Sequence, residues 1–142
     1  MIAALCTFLL TTTSVTHRQG GQQAAVHLAA DGVELVRAVS GPELPAGLPS
    51  SPETKTVNGV AYQRAWSVVT CWQQLAGPPE PPGAPPSCEA QSTSPGTGYV
   101  KVFKVTVTVT WPDRGCPDPA CSYSTATLVD AVSTQPQFNT NS

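Results

Sequence analysis

The chain has 142 residues, enough for one domain with an extension, and carries a formal net charge of −2 with only 11% charged residues. Direct binding to nucleic acid is not expected, because such binding depends on Lys and Arg contacts to phosphates and no basic patch is present. Neither a Gly-x-Ser-x-Gly motif nor a Cys–His arrangement occurs, so the sequence indicates no enzyme, no cofactor and no metal site.

The first 40 residues predict one long helix with two parts. Residues 1–15 begin with the apolar run MIAALCTFLL, and residues 16–40 are amphipathic. Ser40-Gly41-Pro42 is expected to end the helix, since glycine accepts the left-handed cap conformation and proline cannot continue a helix. Such a helix is about 60 Å long, which exceeds what a domain of roughly 100 residues covers. We therefore expect the apolar part to be buried in something other than this domain.

A proline-rich linker over residues 41–52 precedes residues 53–142, which predict an antiparallel β-domain. A short strand is expected over residues 53–57. The Asn58-Gly59 pair favours a tight hairpin, because both residues tolerate positive φ. A second strand is then expected over residues 60–72. Its side chains predicted to contact the helix are Tyr62, Trp66 and Val68.

The clearest strand of the sequence is YVKVFKVTVTVTW at residues 99–111. Apolar and polar residues alternate along it, as is typical of an antiparallel strand with one buried face. A last strand is expected over residues 122–129. Packing of the buried sheet face on the amphipathic half of the helix predicts an α+β fold. The residues assigned to this helix–sheet core are Val26, Ala29, Val33, Val36, Phe103, Val105, Val107, Val109 and Trp111.

Four of the five cysteines, Cys71, Cys88, Cys116 and Cys121, lie in the β-domain and indicate two disulfides formed in an oxidising compartment. Three pairings are possible. We favour Cys71–Cys88 and Cys116–Cys121 because each closes a local loop, and the first would tether the proline-rich loop at residues 77–98. The gaps between these cysteines do not match a zinc site. Cys6 is expected to be a free thiol.

This layout resembles type IV pilin-like proteins, meaning the minor pilins and the pseudopilins of type II secretion, and most closely the minor-pilin-like proteins of Gram-positive bacteria. Three stretches carry the resemblance: AAVHLAADGVELVR at residues 24–37, VTVTWPD at 107–113, and CSYSTATL at 121–128 with the tail around PQFN at 136–139. The family's leader motif, a glycine followed by Phe-Thr-Leu and an early glutamate, matches no residue here. We expect the leader and roughly a dozen helix residues to precede Met1, since a membrane span takes about 20 apolar residues.

The resemblance implies a structural subunit of a pilus or of a type II secretion-like filament. It implies that the apolar part of the helix lies in the membrane or in the filament core, and that the β-domain is extracytoplasmic. The implied partners are other pilin-like subunits and, for a full-length form, a prepilin peptidase and the assembly machinery. An alternative is a secreted, disulfide-stabilised binding domain with an N-terminal signal segment. The residues expected to contact the membrane or other subunits are Ile2, Ala3, Leu5, Phe8 and Leu9.

Overall fold

The computed structural model describes residues 2–75, 89–90, 94, 96–116 and 120–134, with side chains for all of these except 2–18, 45 and 89–90. One long helix packs on one face of an antiparallel sheet, which confirms the predicted α+β class. The helix is α1 (Ile2–Ala38). The strands are β1 (Glu53–Val57), β2 (Val60–Gln74), β3 (Glu89–Ala90), β4 (Tyr99–Trp111) and β5 (Cys121–Asp130).

The sheet has the order β1-β2-β4-β5, and β3 pairs with β2 as well. The hairpin between β1 and β2 is the one predicted, because Asn58 and Gly59 adopt φ values of 50° and 79° and place Val57 opposite Val60. The predicted bounds of β1 and β4 are confirmed, and β2 and β5 are each two residues longer than expected. Part of the segment predicted to be a loop forms β3 instead.

The alternation predicted for β4 decides which face of the sheet meets the helix. Trp66 of β2 lies opposite Val107, and Val68 lies opposite Val105, so the apolar side chains of both strands share one face. On the other face the hydroxyls of Thr108 and Ser124 lie 2.9 Å apart. The β4 residues buried against the helix are Phe103, Val105, Val107, Val109 and Trp111.

The linker between helix and sheet is more ordered than a simple connector. A single 3₁₀ turn (Gly41–Glu43) is followed by the short helix α2 (Leu44–Gly47), and Leu44 is completely buried. The amide N–H of Gly41 donates to the Ser133 carbonyl oxygen at 3.0 Å, and a Cβ at residue 41 would collide with the carbonyl oxygen of Asp130. Glycine is required here because the chain passes directly against the end of β5.

The predicted disulfide between Cys116 and Cys121 is present, with the two Cα atoms 5.4 Å apart. Cys71 is also disulfide-bonded. Its predicted partner, Cys88, lies outside the described residues, as does the side chain of Cys6, so these two assignments stay predictions. Most of the proline-rich loop at residues 77–98 lies outside the described residues too.

Candidate functional site

The surface of α1 that meets the sheet consists mainly of small residues. Ala25, Ala29, Gly32 and Val36 recur at steps of four, three and four residues, and all four are buried. The assignment of Val26 to this core is wrong, because Val26 is 39% exposed. The observed stripe keeps Ala29 and Val36 and has Ala25 and Gly32 in place of Val26 and Val33, a rotation of about 50° around the helix axis. Ala29 and Val36 lie at its centre, and Val33 lies at its edge, partly buried.

Small residues allow the helix backbone to lie close to large side chains of the sheet. A Cβ added at Gly32 would lie 2.8 Å from Cγ1 of Val107 and 3.1 Å from Cδ of Arg64. One added at Gly21 would lie 3.0 Å from Nε1 of Trp111. The large side chains of the interface therefore come from the sheet, and the small residues of the helix leave room for them.

Two apolar clusters hold α1 on the sheet. The first joins Ala25 and Ala29 to Tyr62 and Trp111, whose ring centroids are 5.9 Å apart. The second joins Val36 to the buried linker residue and to β4 and β5; its members are Val36, Leu44, Phe103, Val105, Val129 and Ala131. The side chain of Trp66 packs against both clusters, so they form one continuous layer.

A buried arginine lies in the middle of this layer. Arg64 is 4% exposed, and its guanidinium donates to the Leu28 carbonyl oxygen of α1 at 3.1 Å and to Oε2 of Glu53 at 2.5 Å. Its Cζ atom lies 5.0 Å from the centroid of the Trp66 ring. Arg64 thus connects β1, β2 and α1 through a single side chain.

Arg64 is a functional residue that hydrophobic periodicity alone misses, although a pattern in the sequence points to its role. The Asn58-Gly59 turn fixes the hairpin register, and this register places Glu53 directly opposite Arg64. An arginine on the apolar face of a strand with a glutamate at the opposing position indicates an ion pair beneath the covering helix.

Charged neighbours change the protonation of Glu53. Its pKa is lowered from its ordinary value, mainly by the hydrogen bond from Lys55 and next by the one from Arg64. The Nζ atom of Lys55 lies 2.7 Å from Oε1 of Glu53. Burial raises the pKa of Tyr62, and the negative charge of Asp113 adds to this effect. The Tyr62 hydroxyl donates to the Gly21 carbonyl oxygen at 3.4 Å.

Within the described part of the chain, no group of three or more His, Cys, Asp or Glu side chains is placed to hold a metal ion. Asp113 acts as a turn residue, since its Oδ1 accepts from the Gly115 amide at 2.9 Å. Glu34 pairs with Arg37 at 3.0 Å on the exposed side of α1. The described contacts have a structural role: they hold the second half of a long helix on a sheet.

The helix is longer than its described contact with the sheet. The described contacts between α1 and the sheet begin at Gly21, beside Trp111 at the end of β4, while the helical backbone continues from Gly20 to Ile2. That length corresponds to about 28 Å. Among the described residues, no helix combines the length and the hydropathy needed to cross a bilayer. The predicted contact residues Ile2, Ala3, Leu5, Phe8 and Leu9 have side chains outside the described set.

The chain has no significant match among protein-family models, curated proteins or solved structures. The resemblance to pilin-like proteins accordingly rests on the sequence stretches quoted above.

Proposed function

We propose that the chain is a structural subunit, of the minor-pilin or pseudopilin kind, that assembles into a filament through the first half of α1. In this proposal the sheet forms the outward domain and residues 2–20 pack with the same segment of other subunits. The observation that carries the proposal is the length of α1: 37 residues belong to the helix, and the described stripe that packs on the sheet runs only from Gly21 to Val36.

The packing of the interface supports a role in holding the sheet domain in a fixed orientation relative to the helix. A filament subunit must hold its outer domain at a fixed angle to the helix that assembles. Two apolar clusters and the Arg64 hydrogen bonds fix this angle at several levels along α1. Small residues on the helix reduce the separation between the two layers, which limits sliding between them.

The location and partners follow from the same proposal. The Cys116–Cys121 disulfide is compatible with an extracytoplasmic sheet domain, because disulfides persist in oxidising compartments. The apolar sequence MIAALCTFLL would contact the membrane before assembly and neighbouring helices afterwards. The partners are then other pilin-like subunits and the machinery that assembles them.

A charge placed in the apolar segment tests the proposal. We expect Leu5→Asp to remove the chain from the sheared cell-surface fraction, because an unpaired carboxylate is costly among packed apolar helices. The matched control is Gln23→Asp, which adds the same charge at an exposed position of the same helix. Filament material is collected by shearing and ultracentrifugation, and the chain is detected by an epitope tag at its C-terminus.

Equal recovery of both variants from the sheared fraction would contradict assembly through α1.

Mass spectrometry of the mature N-terminus distinguishes the second candidate function. A mature chain that begins between Thr13 and Gly20 would mean that a signal segment had been removed. The secreted, disulfide-stabilised binding domain would then replace the filament subunit as the function to test.

A further inference from the structure

Strand β5 forms an open edge of the sheet as far as Val129; at Asp130 the linker residue Gly41 lies against the strand. In the part of the chain that the structure describes, β4 pairs with one side of β5 from Val102 opposite Asp130 to Trp111 opposite Cys121, and no strand pairs with its other side. An open edge presents a row of backbone N–H and C=O groups that can pair with a further strand.

The two edges of the sheet differ in how well they resist such pairing, with β5 on one edge and β1 and the two-residue strand β3 on the other. Natural edge strands are protected by short length, by lysine, by proline or by bulges. β1 has five residues and carries Lys55 at its centre. β5 has ten residues, and from Cys121 to Val129 it contains no Lys, Arg, Asp, Glu, Pro or Gly. Of these two strands, β5 is therefore the better suited to accept a partner strand.

We propose that β5 pairs in antiparallel orientation with β5 of a second copy of this chain, so that two sheets join into one continuous sheet. An antiparallel pair of identical strands is related by a two-fold axis perpendicular to the sheet, which makes the contact isologous and closed. The self-pairing buries the backbone groups of the open edge without requiring another protein.

The side chains of one β5 strand are compatible with those of a second, antiparallel copy of the same strand. A pairing centred on Ala126 places Ser124 opposite Leu128 on the face away from α1, and it ends before Asp130, whose carbonyl oxygen lies beside Gly41. The pairs on the helix face are Tyr123 with Val129 and Thr125 with Thr127. Like charges never lie opposite each other in this arrangement, because Asp130 is the one charged residue of the strand. The Thr108–Ser124 contact shows that hydroxyl pairs already form across this sheet.

This dimer is distinct from the filament contact of the proposed function. The two-fold axis places both α1 helices on the same face of the joined sheet, and the two helices run antiparallel to each other. Neighbouring subunits of a polar filament have parallel helices, so one pair of chains cannot use both contacts at once. The dimer proposal rests on β5 alone and does not depend on assembly through α1.

Two lysine substitutions at opposite edges of the same sheet face test the pairing. Ala126→Lys places two like charges directly opposite each other at the centre of the proposed contact. Thr54→Lys makes the matched change on β1, where the residue is exposed. The full chain is studied in mild detergent, which suppresses contacts of the apolar N-terminal segment, and its mass is measured by size-exclusion chromatography with light scattering over a concentration series.

We expect a dimer for the unaltered chain and for T54K, and at least about tenfold weaker dimerisation for A126K, because facing like charges oppose association. Circular dichroism and thermal unfolding confirm that each variant is folded. An unaltered chain that stays monomeric up to the highest concentration would overturn the proposal, as would equal loss in both variants, which indicates pairing of β5 with β1. Under mild oxidation A126C should form an intermolecular bridge at residue 126, and a folded A126C chain without this bridge would also overturn it.

Discussion

The guanidinium of Arg64 donates to the carbonyl oxygen of Leu28 at 3.1 Å, so a sheet side chain is hydrogen-bonded to the backbone of the helix that covers it. A carbonyl oxygen has two lone pairs, which allows Leu28 to serve the helix and Arg64 together. The same guanidinium binds Glu53 of β1. The position of α1 on the sheet is therefore defined by a directional polar contact in addition to apolar packing.

We expect Arg64→Met to destabilise the fold by about 1–3 kcal/mol, because two charge-assisted hydrogen bonds are lost while the apolar volume is kept. A larger loss is not expected. Glu53 is 25% exposed and keeps Lys55 as a partner, and Nε of Arg64 has no hydrogen-bond acceptor among the described residues. Urea unfolding followed by tryptophan fluorescence measures the change.

Arg37→Met is the matched control for this substitution. Arg37 pairs with Glu34 on the exposed side of α1, where ion pairs stabilise by about 0–1 kcal/mol. Its removal should change the free energy of unfolding by less than about 0.5 kcal/mol. Equal effects of the two substitutions would show that the buried contact to Leu28 contributes nothing of its own.

Two glycines of α1 allow a second comparison within one helix. Gly32→Ala should destabilise by about 1–2 kcal/mol, because the new methyl group would lie 2.8 Å from Val107 Cγ1 and force the helix away from the sheet. Gly20→Ala has no atom within 4 Å of the new methyl group, so the gain in helix propensity should stabilise by up to about 1 kcal/mol. Thermal unfolding of both variants should show shifts of opposite sign, and shifts of the same sign would contradict this packing.

The strands could be predicted well because their period leaves little freedom. Alternation in β4 assigns each residue to a face, and a shift by one position would place threonines in the core and valines in water. The Asn58-Gly59 turn then fixes the register of β1 and β2. The bounds of β4 and the faces of β2 follow from these two features without any knowledge of the tertiary structure.

The helix stripe and the buried arginine could not be derived in the same way. Hydrophobicity alone favours Val26 over its neighbour Ala25, whereas close packing selects residues by size and buries Ala25. Gly32 offers no hydrophobic side chain at all, yet it is buried where the two layers are closest. The contact from Arg64 to Leu28 joins residues 36 positions apart, so it depends on how helix and sheet are docked.

The fold should lose stability in acid partly through Glu53. Its folded-state pKa lies below the ordinary value of 4.5, since hydrogen bonds from Lys55 and Arg64 favour the carboxylate. Stability from this group is fully present above pH 4.5 and is lost as the pH falls through the lower folded-state pKa. We expect Glu53→Gln to have a shallower decrease of unfolding free energy at acid pH than the unaltered chain. Parallel pH profiles for the two chains would exclude this role for Glu53.

The rotation of the helix stripe can be tested at two adjacent residues. Ala25→Leu adds three carbon atoms to a side chain with 0% exposure, so it should overpack the cluster around Trp111 and Tyr62 and destabilise by about 1–3 kcal/mol. Val26→Leu adds one carbon atom on the exposed side and should change stability by less than about 0.5 kcal/mol. The midpoints of urea unfolding compare the two. If Val26 were the buried residue, as the hydrophobic pattern alone suggests, the midpoint would shift at residue 26 while residue 25 tolerated the larger side chain.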